Sequence, residues 1–457
     1  MKRRDFIQLS LVLGSSILLP NFTYASTLDS SKIKFSTEIY TQNNAQTIII
    51  FMYGGASQLA GNLSNIEDIK EKSQSSYDDY FRGVTKTKND FWQEAGGTIM
   101  ETLVKDEDMT IFRCCYSAKR EEENNKAHGT CTIQNQKGSF DENSNGILTN
   151  LAQILVDKGA IDENTLMPFV TMEGESQFYL EENTTLPKYL KPIGINENFD
   201  NPYKRDDRWW MYYTNEERSS ASDSYWKSDD EGGFQSKLSK NMDILAQKNN
   251  NFTKIKNAFS KREKLNKFIN SIKDAQTPDL GDNAYPDNSF SKKIEAAVKV
   301  VVHNKDTKVV TLGTGGLGGW DDHNEARDYV TRMENLFQSL KSAVEHLKAE
   351  SKDTNVNILV FGEFGRNVNL NSANGWDHGN LQNLYVLGGK DYFNHKGVVG
   401  ETVVDNPKSV NRLWLKPKDG TYWFEPLSIA ATLYKIYGIE NPEILTNKYE
   451  EIDKLFS

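Results

Sequence analysis

The chain has 457 residues, a formal net charge of −10, and 37% apolar and 26% charged residues. That composition excludes a disordered chain, and the acidic balance excludes a general nucleic-acid binder, which needs a basic surface to neutralise phosphates. An odd count of cysteines (Cys114, Cys115 and Cys131) excludes a fully paired disulfide framework, leaving open one bridge from Cys131 to either neighbour.

In chain order, the first element stands apart from the fold. Arg3 and Arg4 precede an apolar run from Leu9 to Leu19, with small residues near Ala25. The pattern is an export signal over residues 1–25 that resembles the twin-arginine type, and its apolar run is too short for a spanning helix. Its removal takes away Lys2, Arg3, Arg4 and Asp5, three positive charges and one negative, so the net charge moves from −10 to −12. The mature protein is therefore expected to be periplasmic or secreted, with the twin-arginine export machinery as a partner. No other stretch is long and apolar enough to span a bilayer.

Six short runs rich in β-branched or aromatic residues then read as buried strands: Thr47 to Tyr53, Met109 to Cys114, Met167 to Met172, Lys308 to Gly313, Val356 to Gly362 and Asn383 to Gly389. Each is almost continuously apolar, as expected of parallel strands covered on both faces. Apolar residues at three- and four-residue steps predict a helix over Asn324 to Lys348, and a second over Ser289 to Val302 feeds the strand at Lys308. His346 falls off the apolar stripe and is expected to be solvated, while His303 is expected to cap its helix. Strand, helix and strand in that order imply right-handed βαβ units. From about 196 to 285 the chain is polar, with a long helical stretch from Phe234 to Lys273 and an aromatic cluster from Arg208 to Tyr213, and reads as an insertion or cap. "GTGGLGG" at 313–319 lacks the spacing and the following helix of a dinucleotide loop.

The polar residues of interest collect at predicted strand ends, where ligands bind in open α/β sheets. "GGAS" follows the first strand, "RCCYS" ends the second, "GGWDDH" follows the fourth, "GEFGR" follows the fifth, and "WDHG" immediately precedes the sixth. Asp321 with His323, and Asp377 with His378, offer the carboxylate and imidazole mixture that suits zinc, manganese or iron. The competing reading is that these aspartates cap a helix or shape a turn.

The combination "GGWDDH", "FGEFGR", "WDHG" and "LYVLGG" resembles an exported bacterial family known as domain of unknown function 1501, related to the alkaline phosphatase and sulfatase superfamily. The resemblance runs from Phe51 to about Gly400 and is strongest between Val309 and Gly389. It implies a three-layer α/β/α sandwich on a largely parallel sheet, with a divalent metal ion as cofactor. By the same resemblance Asp377 and His378 match a metal-binding pair, and Asp321 and His323 match ligands of another metal. Asp322 stands where the family has Thr. Glu363 would ligate the metal or orient a ligand; Arg366 would pair with Glu363 or hold an anion.

The departures are as informative. The superfamily places a metal-binding Asp after the first strand, where this chain has only Ser57 and Asn62, unless Asp141 or Glu173 substitutes. Cys114 occupies the position of a Ser and would be a nucleophile, a zinc ligand or an inert buried thiol. His128 is a further candidate ligand, and His395 matches no motif. Cys115 lacks the Pro at plus two and Arg at plus four of the sulfatase signature.

Two readings of different class remain. One is a metal-dependent hydrolase of phosphate or related esters, acting on a small anionic ester or a surface polymer. Arg113 or Arg366 would orient the anion, and Ser57, Cys114 or metal-bound hydroxide would attack. The other is a catalytically silent relative serving as a secreted binding or assembly protein.

Overall fold

The six apolar runs all become strands of one sheet. In chain order the strands are β1 (Gln46–Met52), β2 (Met109–Tyr116), β3 (Phe169–Thr171), β4 (Ile193–Gly194), β5 (Val309–Gly313), β6 (Val356–Gly362), β7 (Gly365–Arg366), β8 (His378–Gly379), β9 (Leu381–Gly388), β10 (Val398–Val399), β11 (Thr402–Asp405) and β12 (Trp414–Pro417). They are seen in a computed structural model that describes residues 28–73, 77–81, 83–173, 178, 190, 193–199, 244, 264–265, 267–406 and 412–456. The export signal and the aromatic cluster at 208–213 lie outside the described residues, as does most of the stretch from 234 to 273.

The sheet order is β10-β2-β9-β6-β1-β5-β3-β4. Neighbours are parallel throughout, except that β9 runs antiparallel to both β6 and β2. The result is a mixed α/β fold on a large, mostly parallel central sheet. Every residue of β1, β6 and β9 is buried, which accounts for their unbroken apolar runs. The sixth strand departs from the parallel expectation because no helix separates it from β6. Antiparallel neighbours can be joined by a loop, whereas a parallel return needs a crossover of a dozen or more residues that is usually helical. An apolar run reports burial on both faces and carries no information on direction.

The longer helices among the described residues are α1 (Gly97–Lys105), α2 (His128–Lys137), α3 (Ile147–Asp157), α4 (Ser289–His303), α5 (Tyr329–Ala349) and α6 (Leu427–Ile436). Alternation along β1 sends Ile49 and Phe51 into one cluster with Leu151 and Ile154 of α3 and Leu433 of α6. Ile48 and Ile50, also fully buried, face the other side, where α4 packs on β1 and β5. Each such side chain taken from water contributes about 1.5 to 3 kcal/mol before entropy is subtracted. Asn288 caps α4 by accepting from the Ser291 amide at 2.8 Å.

Two expectations need correction, and one question left open by the sequence is answered. The helix predicted from Asn324 starts as a 3-10 turn over Ala326–Asp328 and becomes α-helical only at Tyr329. Glu325 takes a left-handed conformation, and the amides of Glu325 and Ala326 are committed to the carbonyls of Ala373 and Asn374. His346 is 1% exposed, because Tyr285 covers the α5 face outside the stripe and places its hydroxyl 3.2 Å from His346 Nδ1. All three cysteines are buried and unbridged. The chain divides into two compact units: Ser26–Glu197 with Gln276–Ser457 carries the sheet, and the other includes Asn198–Ala275.

Candidate metal centre

The reversed direction of β9 has a direct consequence for the motifs. The carboxyl ends of β1, β5 and β6 share one edge of the sheet, and an antiparallel β9 begins on that same edge. "WDHG", which precedes β9, is thus brought beside "GGWDDH" after β5 and "GEFGR" after β6. In an all-parallel sheet it would have entered from the opposite edge.

Close backbone approach then locks the loops together. A Cβ on Gly375 would lie 2.1 Å from the His323 carbonyl carbon, and one on Gly54 would lie 2.6 Å from the Asp321 amide. Only glycine fits at either point, and Gly54 also takes a φ of +102°. The Trp376 amide donates to Asp322 O at 2.6 Å, and Asn324 bridges to Asn374. Fully buried Trp320 and Trp376 act as anchors, their indole N–H groups donating to Thr314 Oγ1 at 2.6 Å and Tyr77 Oη at 2.8 Å.

Four ligand atoms, from His128, Asp321, His323 and His378, lie within 4.8 Å of one another, a group that could hold a metal ion. Each imidazole is held through Nδ1 by an acceptor. His128 Nδ1 lies 2.5 Å from Glu363 Oε2, His323 Nδ1 3.3 Å from Asp377 Oδ1, and His378 Nδ1 2.6 Å from the Lys126 carbonyl. With Nδ1–H donating, a neutral ring presents a bare lone pair at Nε2. All three lone pairs point inward. Asp321 Oδ1 is 3.3 Å from His128 Nε2 and 3.2 Å from His323 Nε2, and His323 Nε2 is 2.8 Å from His378 Nε2. Ligands about 2.0–2.1 Å from a tetrahedral zinc lie about 3.3 Å apart, so the donor set fits such an ion. A carboxylate or carbonyl behind each imidazole is the usual support for histidine ligands. His128 Nε2 is also a buried nitrogen with no hydrogen-bond partner.

The electrostatics agree with ligand roles. Burial pushes His378 down to about 4, with the positive charge of Arg366 acting in the same direction, so the ring is neutral at pH 7. Burial would raise Asp321, but the Arg366 hydrogen bond and charge, helped by His128 and His323, hold it below the usual carboxylate range.

The structure sorts the residues expected from sequence. Asp321, His323 and His378 come together, joined by His128 from the start of α2. Asp377 and Glu363 stand one bond behind, holding His323 and His128; Glu363 Oε1 also accepts from the Gly54 amide at 2.8 Å. Arg366, 1% exposed, spends its guanidinium on the carbonyls of Gly54, Gly55, Trp320 and Trp376 and on Asp321 Oδ1 at 2.7 Å. It staples the loops and has no fork open to an anion. Asp322 turns away to Arg332, 2.5 Å distant.

The remaining candidates lie elsewhere. Arg113 donates to the carbonyls of Gly61 and Asn89. Cys114 donates to the Glu401 carbonyl at 3.3 Å, and burial pushes its thiol up to about 12, leaving it protonated. Ser57 Oγ accepts from the nearby Leu59 amide at 3.4 Å. Asp141 closes a local turn by accepting from the Asn143 amide. His395 bridges Thr110 and the Gly388 carbonyl. The sequence signal for His128 is weak, because "KAHGTC" opens a helix whose inward face is largely polar, including Gln134, Asn135 and Gln136.

Residues 44–411 match a protein family described as "Protein of unknown function (DUF1501)". No curated protein matches the chain. A solved structure titled "Crystal structure of Ps i-CgsB in complex with k-i-k-neocarrahexaose" is similar at 8% identity and a TM-score of 0.35, over 89% of this chain and 74% of that one.

Proposed function

The chain belongs to the DUF1501 family of proteins of unknown function, and from that premise, which brings no activity with it, we propose an exported metal-dependent hydrolase of phosphate or related esters. The observation that carries this reading is the convergence of three outward-anchored imidazoles and one carboxylate oxygen on a single point. His128, Asp321, His323 and His378 would hold one divalent ion, zinc or manganese. The bound ion would supply Lewis-acid chemistry, polarising the ester and offsetting charge that develops in the transition state.

The chain's own residues do the rest. Glu363, Asp377 and the Lys126 carbonyl fix ring orientation and keep each Nε2 lone pair aimed inward. Arg366 holds three loops in register while taking part of the charge of Asp321. The bound ion would bring the positive charge that an anionic ester, small or part of a surface polymer, would meet. With the Cys114 thiol protonated and donating to a carbonyl, this reading takes water as the attacking group and cleavage as direct hydrolysis. Half-exposed ligands, with Asp321 the most open at 51% of its side chain, support access from solvent.

The same reading takes the fold as an α/β/α sandwich of the alkaline-phosphatase kind, supported by helices on both faces of the sheet and by the position of the cluster. Export through the twin-arginine route would place the activity in the periplasm or outside the cell. A second reading, a silent relative with a structural metal, is favoured by the absence of a carboxylate in "GGAS" after β1. The two are separated by assaying phosphate and sulfate monoesters with zinc- or manganese-loaded protein, chelator-treated protein and a His378→Asn variant. Turnover only in the loaded wild type supports the hydrolase; metal binding without turnover of any ester supports the second reading.

A further inference from the structure

An anionic ester needs a cationic group at the mouth of the centre, and most of the described arginines near it are already spent. Arg366 is committed to four carbonyls and Asp321, as above, and Arg327 lays its guanidinium against the Tyr80 ring, 5.0 Å from the centroid. Arg120, 1% exposed, is used on Gln134, Asn135 and the carbonyls of Cys131 and Glu363. Arg332 is held by Asp322 and the Gly319 carbonyl. Arg412 differs. Its side chain is 56% exposed, and its one ion pair among the described residues is a loose contact of 3.4 Å from Nη2 to Asp377 Oδ2. Asp377 Oδ1 is the atom that faces His323 Nδ1, so this guanidinium sits one side chain behind a candidate ligand.

The backbone beneath Arg412 is fixed. Leu413, 4% exposed, donates its amide to Asn369 Oδ1 at 2.6 Å and accepts from the Val368 amide at 2.7 Å. Trp414 carries the Lys126 ammonium 4.0 Å above its ring, and the Lys126 carbonyl holds His378. The start of β12 is thus tied to the cluster through Lys126, and the Arg412 guanidinium two residues before it keeps donors open. Arg412 also lies one residue beyond the span matched by the family.

We propose that Arg412 is the specificity-determining residue that receives the anionic head of the substrate, an oxyanion of the phosphate or sulfate class, through the donors Asp377 does not use. This rests on the metal-hydrolase reading. A planar guanidinium presents paired N–H groups that match two oxygens of such an anion, and Asp377 keeps the fork near the centre until the anion arrives.

The test titrates inorganic phosphate, and separately inorganic sulfate, into metal-loaded full-length protein by calorimetry, with metal content measured on the same samples. Wild type, Arg412→Gln and Arg412→Lys are compared. The expected result is equal metal content in all three, with phosphate or sulfate affinity about tenfold or more weaker in Arg412→Gln and partly kept in Arg412→Lys. Equal anion affinity in wild type and Arg412→Gln at equal metal content overturns this inference alone. So does weaker metal retention in Arg412→Gln with unchanged anion affinity at saturating metal, which is what a purely structural role through Asp377 gives. A wild type that takes up no metal overturns the hydrolase reading, and this inference with it.

Discussion

His323 and His378 meet nitrogen to nitrogen, Nε2 to Nε2 at 2.8 Å, while the Nδ1 of each ring is committed to an acceptor, Asp377 for one and the Lys126 carbonyl for the other. Two neutral rings so oriented set lone pair against lone pair. A proton or a cation between them removes the repulsion, and the depressed basicity of His378 disfavours the proton. With His128 Nε2 and Asp321 Oδ1 on the remaining sides, a divalent cation satisfies all four groups at once.

Glu363 acts through His128. Glu363→Gln removes the carboxylate that fixes the ring while leaving an amide of similar shape. Metal affinity, measured by competition with a chromophoric chelator, is expected to fall about 10- to 100-fold. An unchanged affinity would show that His128 is oriented without Glu363.

Asp377 and His378 are adjacent in sequence but unequal in role. Asp377→Asn is expected to weaken metal affinity by about tenfold and keep stoichiometric binding at saturating metal, because the amide oxygen can still accept from His323. His378→Asn is expected to lose stoichiometric binding. Equal losses in the two variants would return Asp377 to the ligand set.

Burial of the strands is plain in runs such as "TIIIFMY", because an unbroken apolar run has no solvent face to conceal. The direction of β9 is not plain, and it decides whether "WDHG" reaches the right edge. Asp321, His323 and His378 were legible as a metal-type residue mixture near glycines. The division of labour between Asp377 and His378 was not, because neighbouring side chains diverge and only the fold tells which one faces His323 Nε2. The burial of His346 lies beyond its helical stripe, because a stripe records one packing partner and Tyr285 supplies a second from outside the helix.

Cys114 is not an activated thiol. Burial pushes its thiol up to about 12, against the neighbouring charge of Arg113. Cys114→Ser is expected to leave metal content and any ester turnover within about twofold. Iodoacetamide should label native protein at this position far more slowly than unfolded protein, by mass spectrometry. Rapid native labelling, or loss of turnover only in this variant, would reopen a nucleophilic role.

His346 contributes a pH-dependent term to stability. Its pKa falls from 6.5 to about 4 on folding, through burial first, so the unfolded chain binds more protons between those values. Stability from this group is complete above about pH 6.5 and is lost progressively as pH falls from 6.5 to 4, by on the order of 1 to 3 kcal/mol. Urea denaturation of wild type and His346→Gln across pH 4 to 7 should show a flatter profile in the variant. Parallel profiles would contradict the assignment.

The central claim is that His128, Asp321, His323 and His378 hold a divalent ion. It is tested most directly by elemental analysis and thermal melting of purified full-length protein, wild type beside His378→Asn. About one equivalent of zinc or manganese in the wild type is predicted, with less in the variant. The wild-type melting temperature should drop on chelation, since an ion bound only by the folded state stabilises it. A wild type that carries no more divalent metal than the variant, and melts alike with and without chelator, contradicts the account.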